Sequence, residues 1–257
     1  MTALEEASRK LAEMIRKASR VLAFTGAGIS TESGISDYRS QGGVWQRFQP
    51  VTLQDFLASE EKRREYWRQK KELYAQLELA RPNEGHVALA ELARMGKLFG
   101  VVTQNIDELH QMAGMGDAEV LELHGTNRKT VCLDCGAHTD WRETYRRLLE
   151  GEEILRCRKC GGLLKPATIS FGQTLDPEVL RKAEAWASSC NLFLAVGSTL
   201  VVEPAASLPA LARQRGARFA LINLSETPFD DFADLVIRAQ AGSVLAKTVE
   251  MLRHPMV

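Results

Sequence analysis

With 257 residues, 45% of them hydrophobic and 26% charged, the chain can fold as one large domain, or one carrying a smaller insert, around a sizeable core. Its 33 basic and 33 acidic residues cancel, which excludes a global field drawing it to nucleic acid, anionic membrane or a polyacidic partner. Met1-Thr-Ala-Leu-Glu-Glu has no signal-like pattern and the longest apolar runs are too short to span a bilayer, so the chain reads as soluble, unexported and cytoplasmic.

In chain order, Leu4, Ala7, Leu11, Met14, Ile15 and Ala18 follow helical spacing and predict an amphipathic helix over 3–18. Val21-Leu-Ala-Phe-Thr reads as a buried strand that stops at Gly26-Ala27-Gly28. Glycines after a strand let backbone amides approach a pyrophosphate closely. Position 31 is Thr, so the full glycine fingerprint is incomplete. The stretch from Ile29 to Arg39 is polar and glycine-punctuated, a long loop able to close over a ligand, or an ordinary surface loop. Residues 41–80 are helix-like and heavily charged, an excursion from the sheet.

Helical patterns over 85–95, 176–187 and 205–215 alternate with apolar runs at Leu98 to Thr103, Leu192 to Val196, Arg218 to Ile222 and Leu235 to Ile237. This alternation predicts an α/β fold, a Rossmann-like parallel sheet with helices on both faces. Ligands bind such sheets beyond the carboxyl ends of their strands. Gln104, Asn105, Ile106 and Asp107 stand at one such end. They suit contacts to ribose, an ordered water or an amide-bearing ring, although Asn and Asp there also cap helices. Gly197-Ser198-Thr199 and Asn223-Leu224-Ser225 repeat the pattern of small polar residues past a strand.

His124, in Glu-Leu-His-Gly-Thr, reads as a structural residue, as a zinc ligand in place of a cysteine, or as a general base, its free pKa of about 6.5 suiting proton transfer near neutrality. His86, His110, His138 and His254 read as helix, turn or tail residues. The pairs Cys132-Leu-Asp-Cys135 and Cys157-Arg-Lys-Cys160 have the spacing of a four-cysteine zinc ribbon, with Gly136 and Gly161 supplying the turns. Four sulfur ligands leave no open position, so the zinc is structural and His124 acts on something else. Such thiols fit a reducing compartment. Cys190 reads as a small buried hydrophobe.

Six ordered elements, Gly26-Ala-Gly-Ile-Ser, Asp37-Tyr-Arg, Thr103-Gln-Asn-Ile-Asp, Leu123-His-Gly, the paired cysteines, and Gly197-Ser-Thr with Asn223, make the chain from about residue 15 onward resemble the sirtuins, NAD-dependent protein-lysine deacylases. The resemblance implies a Rossmann-like NAD-binding domain from 1–40, 81–128 and 168–257. The helical insert 41–80 and the zinc ribbon 129–167 would together form a small module, with NAD between the two and acyl-lysine entering from the opposite side. On the family's mechanism, the acyl oxygen attacks the ribose anomeric carbon as nicotinamide leaves. His124 then draws a proton through the ribose hydroxyls, giving free lysine and O-acyl-ADP-ribose.

By the same resemblance, Gly26, Ala27, Gly28, Glu32, Asp37, Tyr38 and Arg39 form the cofactor loop, Tyr38 screening the reactive carbon. Gln104, Asn105, Ile106 and Asp107 take the nicotinamide side, with Asn105 catalytic beside His124. Gly197, Ser198, Thr199, Asn223, Leu224, Ser225 and Ala241 hold the adenosine half. Phe171 and Gly172, with Val201, Val202 and Glu203, resemble the strands between which the substrate backbone adds as a third.

The chain departs from the family pattern at Ser36, where proline is usual, at Tyr38 for Phe, at Ser225 for an acidic residue and at Gln173 for Glu. Members that take dicarboxylic acyl groups carry Tyr-x-x-Arg in the insert. Tyr66 is followed here by Gln69, which favours neutral acyl groups. Three rivals stand beside this reading. Mono-ADP-ribosyl transfer uses the same fold. An NAD- or FAD-linked oxidoreductase leaves the zinc ribbon unexplained. A nucleic-acid-binding zinc ribbon lacks a cationic stripe, because Asp134, Asp140, Glu143, Glu150, Glu152 and Glu153 offset its basic residues.

Overall fold

The computed structural model describes residues 2–40 and 42–254. Six parallel strands form the larger sheet: β1 (Val21–Thr25), β2 (Leu98–Thr103), β3 (Val120–Glu122), β7 (Leu192–Val196), β8 (Arg218–Ile222) and β9 (Leu235–Ile237). Three antiparallel strands form the smaller: β4 (Gly125–Cys132), β5 (His138–Asp140) and β6 (Leu164–Thr168). The larger sheet runs in the order β3, β2, β1, β7, β8, β9. Counted along the chain within that sheet this is 3-2-1-4-5-6, the order of dinucleotide-binding folds, which reverses between β1 and β7. All five residues of β1 and of β7 are buried, as expected of central strands covered on both faces.

The helices are α1 (Ala3–Lys17), α2 (Val44–Arg47), α3 (Leu53–Ala58), α4 (Glu60–Leu79), α5 (Glu84–Arg94), α6 (Leu109–Met112), α7 (Trp141–Leu149), α8 (Pro177–Ser189), α9 (Leu208–Gln214) and α10 (Ala241–Arg253). Their starts follow from local chemistry. Thr2 and Glu5 form a capping box on α1, Asn83 accepts from Gly85 N and His86 N at the head of α5, and Asp176 caps α8 just before Pro177. The period-2 alternation of β1 then sorts its side chains. Val21 and Ala23 pack with α1, α5 and α10, while Leu22 and Phe24 pack with α8 and α9.

A third apolar cluster joins Phe56, Trp67, Tyr74 and Leu77 of α3 and α4 to Trp141, Leu148 and Leu164 around the small sheet. The charged stretch over 41–80 thus holds three helices, of which α3 and α4 bury one face. The helix expected over 205–215 divides into a 3-10 turn, Ala205–Ser207, and α9. β3, only three residues long, was not expected as a strand. Cys190 is buried in the cluster on the α8 side, as its sequence context suggests.

Candidate active site

The strand order places the glycine turn after β1 against the turn after β7. Gly28 N donates to Gly197 O at 2.8 Å and Gly26 N to Val196 O at 3.0 Å. A Cβ on Gly26 would meet Gly197 O at 2.7 Å, and one on Gly28 would meet the same oxygen at 2.8 Å. Gly197 has φ +62°, and a Cβ there would stand 2.3 Å from Ile29 N. Glycine is therefore required on both sides of this crevice. Glu32, from the loop that follows, accepts from Gly242 N at 3.0 Å and ties the loop to the head of α10.

A cavity of about 600 Å3 opens from this point toward α4 and the end of β6. Its walls hold Gly26, Ala27, Gly28, Glu32, Asp37, Tyr38 and Arg39; then Gln104, Asn105, Ile106 and His124; then Gly197, Ser198, Thr199, Asn223, Leu224, Ser225 and Ala241. Phe171, Gly172, Val202 and Glu203 line it too. Two expected residues lie outside that lining. Asp107 sits buried behind it, and Val201 is half exposed to solvent. Nor do the segments expected to contact peptide form strands: Phe171 and Gly172 form a turn, with Gly172 at φ +79°, and beyond Val201 the chain bends at Val202 and enters a turn at Glu203.

His124 ends the link between the two sheets. Gly125 follows it with φ +69°, where a Cβ would collide with Ala167 O at 2.1 Å, and Ile169 N donates to His124 O at 2.8 Å. The ring Nδ1 lies 2.9 Å from the Gln104 carbonyl, which can only accept. Nδ1 therefore carries the proton, leaving Nε2 as the basic nitrogen. Burial draws this imidazole below its usual value, against the upward pull of the Gln104 contact.

Asn105 is held as firmly. Its Nδ2 donates to Gly26 O at 3.1 Å and to Ser30 Oγ at 3.0 Å, which uses both amide protons and leaves only Oδ1 to accept. Asp107 accepts from Ser30 Oγ at 2.7 Å and from Leu109 N at 3.0 Å. Burial nonetheless pushes its carboxyl upward. Gln104 Nε2 donates to Ser198 Oγ at 3.0 Å, while Asn223 Nδ2 donates to the Ser225 carbonyl and hydroxyl at 2.9 and 3.1 Å. Ser225 thus orients Asn223.

The loop from Asp37 is an Asx turn, Oδ1 accepting from Arg39 N and Ser40 N at 3.0 and 2.8 Å. Tyr38 packs on Trp45 and Trp45 on Phe171, with ring centroids 5.0 and 5.7 Å apart. Burial pushes the Tyr38 phenol up to about 12 and keeps it neutral. Ser36 N donates to Gln76 Oε1 at 3.0 Å, a bond that proline could not make. Sequence reasoning missed Trp45, Ser30, Gln76 and Lys70. The last lines the cavity, donates to Asn127 Oδ1 at 3.0 Å, and is brought down to about 7 by burial and by Lys165.

Away from the cavity, the four sulfurs of Cys132, Cys135, Cys157 and Cys160 lie within 4.8 Å of one another, two pairs at 3.5 and 3.8 Å. Tetrahedral zinc with Zn–S near 2.3 Å needs sulfurs about 3.8 Å apart, so the set fits. Gly136 N and Gly161 N return to Cys132 O and Cys157 O at 3.0 and 2.8 Å, closing both knuckles. Zn2+ held there would be saturated by sulfur and structural.

Fold and site together define a dinucleotide-binding α/β protein with a four-cysteine cluster fit for a metal and a buried histidine beside the crevice. The Sir2 family model matches residues 26–204, and the chain belongs to that family. An NAD-dependent protein deacetylase of Thermodesulfovibrio yellowstonii is 44% identical over 244 residues, 95% of this chain and 94% of the relative. NAD-dependent protein deacylase 2 of Archaeoglobus fulgidus is 42% identical over 252 residues, 98% of each. A solved Sir2 complex with p53 peptide and NAD+ has a TM-score of 0.84 at 34% identity, covering 94% of this chain and 97% of that one.

Proposed function

We infer that this protein removes acetyl or other neutral acyl groups from protein lysine in an NAD-dependent reaction that yields nicotinamide, O-acyl-ADP-ribose and free lysine. The observation that carries the reading is the shared cavity. His124 presents an unprotonated Nε2, and Asn105 a lone carbonyl acceptor, to the same space as the glycine turn. NAD as co-substrate supplies an electrophilic ribose carbon. His124 accepts a ribose hydroxyl proton at Nε2, while Asn105 Oδ1 accepts from a hydroxyl or an ordered water. Tyr38, Trp45 and Phe171 cover the reacting carbon from bulk water.

The remaining roles follow the walls. Gly26, Ala27, Gly28 and Glu32 take the phosphate side, Gln104 and Ile106 the nicotinamide side with Asp107 supporting it from behind, and Ser198, Thr199, Asn223, Leu224 and Ala241 the adenosine side. Asp37 and Arg39 order the loop. Acylated peptide would enter between Phe171-Gly172 and Val201 to Glu203, its own backbone completing the sheet. The separate apolar cluster supports 41–80 and 129–167 as one module beside a domain of 1–40, 81–128 and 168–257.

Neutral acyl preference is supported by Arg68, which points to solvent, and Gln69, which faces the cavity. Among the described residues no helix is long and apolar enough to cross a membrane. The gathered thiols suit a reducing compartment and support a cytoplasmic location.

The test follows nicotinamide release and O-acyl-ADP-ribose by mass spectrometry for the wild type and His124→Ala, with acetyl-, butyryl- and succinyl-lysine peptides. O-acyl-ADP-ribose from the wild type, little from the variant, and acetyl or butyryl turned over faster than succinyl are expected. ADP-ribose attached to the peptide would favour the transferase rival.

A further inference from the structure

Two histidines that sequence spacing assigns to ordinary helix positions lie behind the nicotinamide wall. His86, in the first turn of α5, is fully buried, and His110 of α6 is 1% exposed; their rings stand 5.0 Å apart. Neither lines the cavity. His86 reaches Asn105 through one hydroxyl and His110 through two, and the two routes arrive at different atoms.

On the first route, His86 Nδ1 accepts from Asn83 N at 3.4 Å, which places the ring proton on Nε2. Nε2 lies 3.5 Å from Ser30 Oγ. The Ser30 hydroxyl has one proton, donated to Asp107 Oδ2, and two lone pairs, facing His86 Nε2–H and Asn105 Nδ2–H. It is saturated, and its proton can point only at Asp107. On the second route, Thr25 Oγ1 donates to Thr103 Oγ1 at 2.8 Å and so accepts from His110 Nε2 at 2.9 Å. Thr103 Oγ1 in turn accepts from Asn105 N at 3.0 Å.

We propose that His86 and His110 are positioning residues: His86, through Ser30, fixes the Asn105 side-chain amide with Oδ1 facing the cavity and holds the Asp107 carboxylate in place, while His110, through Thr25 and Thr103, anchors the Asn105 backbone N–H. The inference rests on the roles assigned above to Asn105 and Asp107. Burial keeps both imidazoles neutral, His86 down at about 4, so the donor on Nε2 persists through the working pH range. An alternative orientation of the Asn105 amide would set its carbonyl against Gly26 O. Without His86, the Ser30 hydroxyl gains an open lone pair and rotational freedom, and Asp107 loses a fixed donor.

The test replaces His86 by Asn, too short to reach Ser30, and by Gln, whose Nε2 falls near the imidazole Nε2. Initial rates are measured against NAD and against acetyl-lysine peptide. For His86→Asn we expect kcat/KM for NAD to fall by about 10- to 100-fold, the cost of misplacing reacting groups. Peptide KM should be unchanged, and His86→Gln should recover most of the loss. His110→Asn should give the same split. In a double-mutant cycle His86→Asn adds little to Ser30→Ala, because both break one chain.

Wild-type NAD kinetics in His86→Asn would overturn the proposal. Equal losses in the Asn and Gln variants, or additive losses with Ser30→Ala, would also do so. Peptide-dependent nicotinamide release by the wild type is the control, since its absence would sink the proposed reaction and not this inference.

Discussion

His124 donates its Nδ1 proton to the Gln104 carbonyl, and this single contact leaves Nε2 as the nitrogen free to accept a proton. Replacing His124 with Ala should lower kcat by about 10²–10⁴-fold, the range for a positioned general base, while the four-cysteine site stays filled. The pH dependence follows from the sign of the shift. Burial lowers the imidazole pKa, and only the neutral ring is a base, so the acid limb of kcat/KM for NAD should lie below about 6.5. A limb that lies above that value and vanishes in His124→Ala would contradict the account. His124 was legible in the sequence because its motif is local. Its reactive nitrogen was not, since Gln104 lies 20 residues away. His86 and His110 were invisible as functional residues for the same reason: Ser30 and Thr25 are 56 and 85 residues distant.

The glycine turns act at the scale of elements. Gly197→Ala forces a side chain into φ +62° and against Ile29 N, so it should separate the turns after β1 and β7. The strain, about 1–3 kcal/mol, should appear as a lowered Tm together with weaker NAD binding by calorimetry. Zinc removal should act on the other module. Its four sulfurs gather β4 to the loop before β6, so chelation should lower the Tm and abolish deacylation, with zinc content tracking both. Deacylation unchanged after complete zinc removal would exclude a structural role for the metal. The long buried strands were readable from composition alone, as Val21–Thr25 and Leu192–Val196 show. The turn at Phe171-Gly172 was not, because a strand was expected there from the resemblance alone, whereas Gly172 at φ +79° turns the chain. Residues 41–80 read as helical, but their division into three helices and the face packed under Trp67 and Tyr74 did not show, since a charged surface masks it.

Across the whole molecule, the reversal of strand order between β1 and β7 opens the glycine-lined side of the cavity, and the small sheet and α4 close its far side. NAD binding only the folded protein should therefore stabilise it, by about 2.7 kcal/mol at 100 times Kd, seen as a rise in Tm with NAD concentration. The parallel sheet and the zinc site could be foreseen from alternation and cysteine spacing. How the two sheets share one cavity could not, because it depends on Gly125 and Ile169 fixing the link at His124. The most direct measurement is the product balance with NAD and an acetyl-lysine peptide, by mass spectrometry. The account predicts one nicotinamide and one O-acetyl-ADP-ribose for each lysine freed. Free acetate released with NAD untouched would contradict it.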